Sequence, residues 1–511
     1  MTESLAPAAP DGADTRLALI VALLDELRRR KIRYCHWKST AGLERALQGR
    51  TDLDLLVDRA HADAFGIAIR EIGFKPFISH ETRRYPAVED HIGHDETSGR
   101  LVHLHVYYQL ILGEHYTKNH RLPLERAFLD GARDFDGIQV PPPVLELTVL
   151  GLRTLLKYRD ADALKDLLRL GRRGGIPPDA RVELESLRSQ VSDVELRDAM
   201  AMHLPAVPHG LLPDLLAVLA RDRRDARALR RLRGQARAGL RGFERLSRRQ
   251  AAWTYARARF SRSWPLRPLL RGLSRSDLRR KAPLGGGLTI ALVGPDGAGK
   301  STIVAELTEW LAWRLNLRVF YLGSAQPSRR TRTLRSLSRA ARAADRRLGR
   351  MPGGPLVTRV ADALAAARYL ADADDRASRV QAGRSLAARG AVILFDRFPL
   401  PGVRVGDRLM DGPRIPTLAS AGSSRLLRRL ASRERAIYDR IAPPDHIIQL
   451  AVSPAVALGR KGNRSPETVE AKSRSLAEAD LAAFAPLTRI DAEQPLEAVI
   501  AAVKASVWKL L

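Results

Sequence analysis

The spacing of hydrophobic residues divides the first 140 residues into an initial helix and a following segment of short strands that contains a second helix. Leucine and isoleucine recur at helical intervals from Leu17 to Leu27, and this segment ends in a basic cluster. From residue 33 onward the apolar runs become short, which is typical of strands. We therefore predict an α+β unit with a helix at 60–72 and strands at 52–57, 74–78, 101–112 and 138–140.

The middle of the chain carries helical spacing alone. Between 144 and 220 the apolar residues recur at helical intervals, and no run has the period of a strand. An Arg-rich stretch follows, interrupted by Pro265 and Pro268, and three glycines at 285–287 end it. We interpret these segments as a helical domain at 141–220 and an Arg-rich helical connector at 221–287.

A different pattern begins at residue 288. Four short apolar runs, LTIALVG, LRVFYLG, AVILFD and HIIQLAV, alternate with helical stretches. Buried strands that alternate with helices are typical of a parallel sheet covered on both faces. The sequence thus predicts an α/β protein with a parallel α/β domain at 288–511, the α+β unit at 16–140 and a disordered tail at 1–15.

Composition narrows the class of protein. The 511 residues are too many for one compact core, so several domains are expected. A single cysteine excludes an internal disulfide framework and a cysteine-based zinc cage. No apolar run approaches the ~20 residues needed to span a bilayer, and the first residues lack the pattern of a secretory signal. We therefore expect a cytoplasmic protein.

The net charge of +29 is concentrated in two segments. Residues 221–282 contain 21 Arg and Lys against 4 Asp and Glu, and residues 326–350 contain 9 Arg against 1 Asp. Nucleic acid, an anionic membrane surface or a polyphosphate substrate would each suit such segments. Solvated faces of Arg-rich helices are the alternative.

A phosphate-binding loop is the most specific motif in the chain. The sequence GPDGAGKS at 294–301 fits G-x-x-x-x-G-K-[ST] and lies directly between a predicted strand and a predicted helix. Its glycines allow tight turns that direct N–H groups inward, Lys300 can reach the β- and γ-phosphates, and the Ser301 hydroxyl can bind Mg²⁺. The motif indicates a P-loop NTPase domain with ATP and Mg²⁺ as cofactors. The predicted nucleotide-binding residues are Gly294, Asp296, Gly297, Ala298, Gly299, Lys300, Ser301 and Thr302.

A second charged motif, Asp396-Arg397, follows the apolar run AVILF. An aspartate at the carboxyl end of a parallel strand faces the ligand crevice. There Asp396 can hold Mg²⁺ through water, and the planar guanidinium of Arg397 can bind a second phosphate group. We therefore predict both residues, with Lys300, to be catalytic.

The residues from 288 to 511 resemble the thymidylate kinase family of nucleoside monophosphate kinases. The resemblance is carried by GPDGAGKST, by ADDR at 373–376, by ARGAVILFDRF, by PPDHIIQLAVSPAVALGR at 443–460 and by IDAEQPLEAV at 490–499. It implies ATP- and Mg²⁺-dependent phosphoryl transfer to an acceptor that itself carries a phosphate. It also implies that Asp296 approaches the acceptor's sugar and that Arg376 and Arg397 lie near the acceptor.

In that family a cation that stabilises the transferring phosphoryl group comes from the P-loop or from a mobile lid. Gly297 stands where the P-loop would supply it, so the resemblance assigns the role to the predicted lid GRKGNR. The lid contributes Arg460, Lys461 and Arg464. A closing basic lid suits phosphoryl transfer, because this chemistry depends on positioning and positive charge.

Three segments depart from the family pattern. They are YLGSAQPSRR after the second strand, the insertion at 326–350 and MDGPRI at 410–415. The acceptor therefore has three candidate classes: dTMP, another nucleotide, or a phosphorylated sugar or glycan intermediate. The last would place the protein in surface-polysaccharide biosynthesis.

The N-terminal α+β unit resembles a nucleotidyltransferase-like domain in outline. Asp52 and Asp54 alternate along a predicted strand, so they face one side, as carboxylates do where two metal ions are bound. HWKST at 36–40 replaces the Gly-Ser turn of that fold, and His103 or His105 stands at its third acidic position. We predict Asp52 and Asp54 as metal ligands; the alternatives are an active domain, a degenerate nucleotide-binding or scaffolding domain, and ordinary aspartates at a strand edge. Nine of the 12 histidines lie between 36 and 120, but irregular spacing argues against zinc.

The rival interpretation is a binding protein that uses nucleotide as a switch. In that case the Arg-rich connector would contact nucleic acid or an anionic membrane. The sequence also leaves open that the chain forms a homodimer. The aromatic residues of the connector would either enter that interface or pack it onto the kinase-like domain. They are Phe243, Trp253, Tyr255, Phe260 and Trp264.

Overall fold

The computed structural model of this chain forms two compact units, residues 1–279 (unit 1) and 280–511 (unit 2). The predicted tail at 1–15 lies outside the described residues, as do Lys461 and Arg464 of the predicted lid. The residues that the structure describes are 16–38, 40–168, 176–221, 225–263, 280–348, 351, 354–405, 408–417, 424–460 and 466–511.

Unit 1 begins with a mixed sheet and the helices that cover it. The strands run in the order β1-β2-β5-β4-β3, and β2 and β5 are parallel while the other neighbours are antiparallel. The elements are α1 (Ala18–Arg29), β1 (Tyr34–His36), α2 (Leu43–Leu47), β2 (Leu53–Val57), α3 (Ala62–Glu71), β3 (Lys75–Ile78), β4 (Val88–Asp95) and β5 (Arg100–Tyr107).

Among the described residues of unit 1, two small hairpins and eight helices follow. β6 pairs with β7, and β8 with β9. The predicted strands of this unit are found, but the run predicted at 101–112 is divided between β5 and β6, and β1, β4, β7 and β8 were not predicted. The elements are β6 (Leu110–Leu112), β7 (His120–Leu122), α4 (Glu125–Asp130), β8 (Arg133–Phe135), β9 (Ile138–Val140), α5 (Pro143–Lys157), α6 (Asp160–Leu167), α7 (Pro178–Arg188), α8 (Asp193–His203), α9 (Leu211–Arg221), α10 (Ala226–Gly239) and α11 (Arg248–Ser263).

One apolar core of unit 1 joins the sheet to the helices from α4 to α10. Trp37 and Tyr107 of the sheet side belong to the same buried cluster as Leu152 of α5 and Leu229 of α10. The sequence placed boundaries at 140/141 and 220/221, but this core continues across both of them. Helix α10 is therefore part of unit 1, although its composition suggested a connector.

Part of the basic charge in the connector is used inside unit 1. Arg233 of α10 is 6% exposed and donates to Asp160 at 3.0 Å and to Glu114 at 3.1 Å. Such a buried cation requires paired carboxylates, because an unpaired one would lose its hydration without compensation. This arginine is thus structural.

The aromatic residues of the connector divide into packed and exposed ones. Phe243 packs against the core of unit 1. The hydroxyl of Tyr255 accepts a hydrogen bond from Arg159 at 3.4 Å, whereas Trp253 is 71% exposed. The side chain of Phe260 and residue Trp264 lie outside the described part of the chain.

Unit 2 contains a five-stranded parallel sheet in the order β12-β13-β11-β16-β17. This confirms the predicted α/β class with a parallel sheet. The strand at 487–491 was not predicted, because only one residue of this edge strand, Ile490, is buried. The elements are β10 (Ala282–Pro283), β11 (Leu288–Val293), α12 (Lys300–Ala312), β12 (Leu317–Tyr321), α13 (Arg329–Leu348), α14 (Gly354–Ala387), β13 (Val392–Asp396), β14 (Arg404–Val405), β15 (Arg408–Leu409), α15 (Arg425–Asp439), β16 (His446–Ala451), α16 (Pro454–Arg460), α17 (Pro466–Glu478), β17 (Leu487–Asp491) and α18 (Leu496–Leu510).

The Arg-rich insertion at 326–350 forms helix α13, which packs along the 34-residue helix α14. Ion pairs join the two helices: Arg335 lies 2.7 Å from Asp372, and Arg342 lies 2.7 Å from Asp362. Part of the positive charge of this segment therefore stabilises a helix pair. Within the described residues, no helix has both the length and the apolar character needed to cross a membrane.

Candidate functional site

The phosphate-binding loop of unit 2 connects the buried strand β11 to helix α12. Gly297 and Gly299 have positive φ angles of +95° and +83°, which favour glycine, and Gly299 is the N-cap of the helix. A Cβ atom at Gly297 would lie 2.5 Å from the carbonyl oxygen of Ala457. The loop therefore approaches α16 so closely that no side chain fits at this position, and Ala298 is buried beside it.

Lys300 folds back over this loop. Its Nζ donates to the carbonyl oxygens of Gly294 at 2.8 Å and Pro295 at 2.6 Å. Burial, together with the charge of Arg397, lowers the pKa of Lys300 to about 8. Ser301 and Thr302 are exposed in the first turn of α12. A helix N-terminus, a lysine and two exposed hydroxyl side chains thus lie together at this loop.

The register of the parallel sheet brings Asp396 and Arg397 to the start of the loop. Asp396 at the end of β13 is paired with Leu292 of β11, and the N–H of Arg397 donates to the Leu292 carbonyl at 3.2 Å. Burial raises the pKa of the Asp396 carboxyl against the opposing charges of Arg397 and Lys300. Arg397 has a φ of +69°, a conformation that costs a residue with a Cβ about 1–3 kcal/mol.

Asp296 joins two cations at the mouth of the loop. Its Oδ1 accepts from Arg397 at 3.2 Å, and its Oδ2 accepts from the Nζ of Lys472 at 2.9 Å. Burial alone would raise the pKa of this carboxyl, but Lys472, Arg397 and Lys300 outweigh it and hold the pKa well below the usual range. Asp296 is therefore ionised and its two oxygens are both engaged.

Lys472 is the main site residue that the sequence did not reveal. It lies on α17, which follows the predicted lid in the sequence. The charged residues of this helix form no recognisable motif. A lysine in such a helix carries no local signal, because its partner Asp296 is 176 positions away along the chain. Only the packing of α17 brings it to the loop.

Arg376 of α14 is buried beside the same region. Its Nε donates to the Leu322 carbonyl at 2.8 Å, Nη1 donates to the Tyr438 hydroxyl, and Nη2 donates to Asp411 at 3.4 Å. Asp411, from the MDGPRI segment, also acts electrostatically on Arg397. The segment that departs from the family pattern thus supplies a carboxylate to the site.

One small cavity is lined by four of the predicted residues, Gly294, Asp296, Lys300 and Arg397, and by residues that were not predicted to form the site. Its charged lining consists of Asp296, Lys300, Arg397, Asp411 and Lys472, so cations outnumber carboxylates. Such a lining suits a ligand with several negative charges. The cavity is completed by Val293, Gly294, Phe398 and Met410.

Arg460 does not join these residues in the structure. Its Nη1 donates to the carbonyl oxygen of Ala492 at 2.8 Å, and its charge acts on Glu493. The predicted lid arginine is therefore bound to the segment after β17. Its predicted companion Arg464 lies outside the described residues.

The chemistry of these residues fits both predicted cofactors. A glycine loop that a Cβ would fill, a helix N-terminus and an ammonium group suit the phosphates of a nucleotide. The hydroxyl of Ser301 and the carboxylate of Asp396 are hard oxygen donors of the kind that Mg²⁺ prefers.

The carboxylates Asp52 and Asp54 of unit 1 lie beside histidine and lysine side chains. The parallel pairing of β2 with β5 sets Asp54 beside His105. The Nδ1 of His105 lies 3.1 Å from Asp54 Oδ1, and the Nδ1 of His103 lies 2.7 Å from Asp52 Oδ1. Both histidines that the sequence proposed for the third acidic position therefore reach the carboxylates.

Three further side chains complete this network. The Nζ of Lys38 donates to the carboxylate of Asp54 and, at 2.7 Å, to the hydroxyl of Tyr107. Asp90 of β4 lies 3.0 Å from the Nε2 of His103. Strand β4 was not predicted because its sequence, VEDHIGHD, is mostly polar, and the network explains why part of it is nevertheless buried.

Burial and neighbouring charges shift the pKa values of several side chains in unit 1. It lowers the pKa of His105 to about 4 against the opposing effect of Asp54, so this imidazole is neutral near pH 7. Burial would raise the pKa of Asp54, but Lys38 and His105 outweigh it and hold the pKa far below its usual range. Burial, with the charge of Lys38, lowers the pKa of Lys118 to about 7; its Nζ lies 4.2 Å from the centre of the Tyr85 ring.

Metal ligation was predicted for Asp52 and Asp54. Across the described part of the chain, no group of three or more His, Cys, Asp or Glu side chains is arranged to hold a metal ion. The carboxylates instead face the ammonium and imidazole groups described above.

No protein-family model matches the sequence, and no curated protein matches it. Among solved structures, deoxyadenosine kinase from M. mycoides with bound dATP is 17% identical, with a TM-score of 0.27, over 43% of this chain and 98% of that chain. The same enzyme with products dCMP and a flexible dCDP is also 17% identical, with a TM-score of 0.28 and the same coverage.

Proposed function

We propose that unit 2 is a thymidylate kinase-like, ATP- and Mg²⁺-dependent phosphotransferase. It would transfer the γ-phosphoryl group of ATP to a small acceptor that already carries a phosphate, such as a nucleoside monophosphate. The observation that carries this proposal is that Asp296, Lys300, Arg397 and Lys472 line one small cavity beside the phosphate-binding loop.

The loop and Lys300 would bind the phosphates of the donor. Backbone N–H groups of the loop and of the first turn of α12 would face the phosphate oxygens, and Lys300 would exchange its two carbonyl partners for them. Mg²⁺, when bound by Ser301 and Asp396, supplies positive charge that offsets the charge developing on the transferring group.

The acceptor would lie on the other side of the cavity. Arg397 offers a guanidinium for the acceptor phosphate, and Asp296 offers a carboxylate for a hydroxyl group of the acceptor's sugar. Arg376 holds Asp411 and Tyr438 beside them. Phosphoryl transfer needs positioning and positive charge from the protein rather than covalent chemistry. These side chains would supply both.

The acceptor class is tested by incubating the full chain with Mg²⁺ and ATP labelled at the γ-phosphate, together with a panel of acceptors. The panel contains dTMP, other nucleoside monophosphates and sugar phosphates. We expect ADP to form and the label to move to one acceptor class. Transfer to a sugar phosphate would support a role in polysaccharide biosynthesis. Tight ATP binding without transfer to any acceptor would contradict the proposal and favour a nucleotide-switched binding protein.

Replacing Lys472 with methionine is expected to reduce kcat about 10- to 100-fold while the KM for ATP changes little. Lys472 would supply the cation that Gly297 cannot, and a positive charge aimed at the reacting group in a water-poor site stabilises the transition state. Steady-state kinetics with the acceptor found above would measure both constants.

Lys504→Met is the matched control for this variant. Lys504 has the same side-chain exposure, 16%, and pairs with Glu306 at 3.9 Å, away from the cavity lining. We expect near-normal kcat in the control. Equal kinetics in both variants would show that Lys472 has no part in transfer.

A further inference from the structure

The resemblance of unit 1 to nucleotidyltransferase-like domains implies metal ions at Asp52 and Asp54, and the structure disagrees with that implication. We propose that the ammonium group of Lys38 takes the place of a metal ion, so that this carboxylate pair forms a centre that binds no divalent cation. The proposal concerns unit 1 alone and does not depend on the function proposed for unit 2.

The position of Lys38 is set by the sheet. The Trp37 N–H donates to the carbonyl oxygen of Asp54 at 3.3 Å, and this bond extends the pairing of β1 with β2. The next residue, Lys38, thus emerges directly beside the Asp54 side chain. Its ammonium lies between two aromatic rings, 4.8 Å from the Trp37 ring centre and 4.3 Å from that of Tyr107. A long flexible side chain is held here in one place.

The ammonium of Lys38 neutralises the negative charge of the Asp54 carboxylate, which a metal ion would otherwise neutralise. It donates to Oδ1 of Asp54 and to the Tyr107 hydroxyl, and the side chains of Lys38 and Asp54 are only 19% and 15% exposed. A divalent ion at Asp54 would have to displace this buried ammonium, leaving it desolvated next to a second cation. Such a like-charge contact in a low-dielectric site is unfavourable.

The remaining carboxylates are also engaged. His103 lies between two of them, with Nδ1 2.7 Å from Asp52 and Nε2 3.0 Å from Asp90. His103 is 1% exposed, so its ring is fixed by packing as well as by these contacts. The Oδ1 atom of each of these carboxylates and of Asp54 is thus directed at a ring nitrogen or at Lys38, which is the disagreement with a two-metal centre.

Binding of Mn²⁺ alone to the full chain tests the proposal, with free Mn²⁺ measured by electron paramagnetic resonance. Mn²⁺ sites in unit 2 are common to all variants, so the Asp54→Asn substitution isolates the contribution of unit 1. We expect wild type and Asp54→Asn to bind Mn²⁺ identically. Lys38→Met should gain one site per chain, at least about tenfold tighter than any Asp54-dependent binding in wild type, and Lys38→Met/Asp54→Asn should lose it.

Lys38→Arg is the conservative control, because it keeps the positive charge and should gain no site. Circular dichroism checks the fold of each variant, and Lys38→Gln replaces Lys38→Met if the latter does not fold. An Mn²⁺ site in the wild type that disappears in Asp54→Asn would overturn the proposal. Failure of both folded neutral variants to gain a site would overturn it as well, because the carboxylates would then be unsuited to a metal whatever residue stands at 38.

Discussion

Replacing Lys300 with alanine is expected to reduce phosphoryl transfer by at least about 10²- to 10³-fold, the loss typical of removing one preorganised charge from a transition state. The Nζ of Lys300 is buried over the loop and donates to the carbonyl oxygens of Gly294 and Pro295. Alanine would remove that charge without altering the glycine turns. Turnover of labelled ATP with the identified acceptor is the measurement.

The fold of Lys300→Ala should stay intact, because its two hydrogen bonds are each worth only about 0.5–1.5 kcal/mol, or up to about 3 for a charged donor. Circular dichroism and denaturant unfolding would verify this. The Lys504→Met variant serves again as a lysine substitution outside the cavity. Normal turnover in a folded Lys300→Ala protein would show that the phosphate-binding loop has no part in the reaction. That result would contradict the function proposed for unit 2.

Replacing Gly297 with alanine is the second change with a large expected effect. The residue has a φ of +95°, and its new Cβ would lie 2.5 Å from the carbonyl oxygen of Ala457. Left-handed strain of about 1–2 kcal/mol and overpacking of about 1–3 kcal/mol together predict a loss of about 2–5 kcal/mol in unfolding free energy. Because the loop must move away from α16, we also expect ATP to bind at least about tenfold more weakly.

Gly299→Ala is the matched control for the steric part of this effect. Gly299 has a similar φ of +83°, but no atom lies within 4 Å of its added Cβ. Denaturant unfolding should therefore show only the strain of about 1–2 kcal/mol in this variant. If Gly297→Ala were no less stable than Gly299→Ala, the close approach of the loop to α16 would not be a constraint on the sequence.

Much of unit 2 could be predicted because its signals are local. A glycine-rich loop between an apolar strand and a helix is contained in consecutive residues, and the strand ending at Asp396 follows directly from its apolar run. The edge strand β17 was missed for the opposite reason: one of its faces is not covered, so its sequence lacks a continuous apolar run. In unit 1, β4 was missed because buried polar groups replace the apolar ones that the pattern depends on.

The domain boundaries of unit 1 show a second limit of prediction from sequence composition. The composition of α10 is that of a basic connector, yet Leu229 and its apolar neighbours pack in the same core as Trp37 of the sheet. Composition reports the average of all faces of a helix, whereas packing depends on one face. A narrow apolar face is therefore compatible with a strongly basic helix.

The sequence by itself determined the parallel α/β class of unit 2, the turn that follows β11 and the position of an acidic residue at the end of β13. These features depend on neighbours within a few residues, whose geometry is limited by backbone sterics and by the period of each element. Only the tertiary structure decided which charges meet. Lys472 reaches Asp296, and Lys38 reaches Asp54, because an ion pair forms within about 3–4 Å in space, and that distance is set by how separate elements pack.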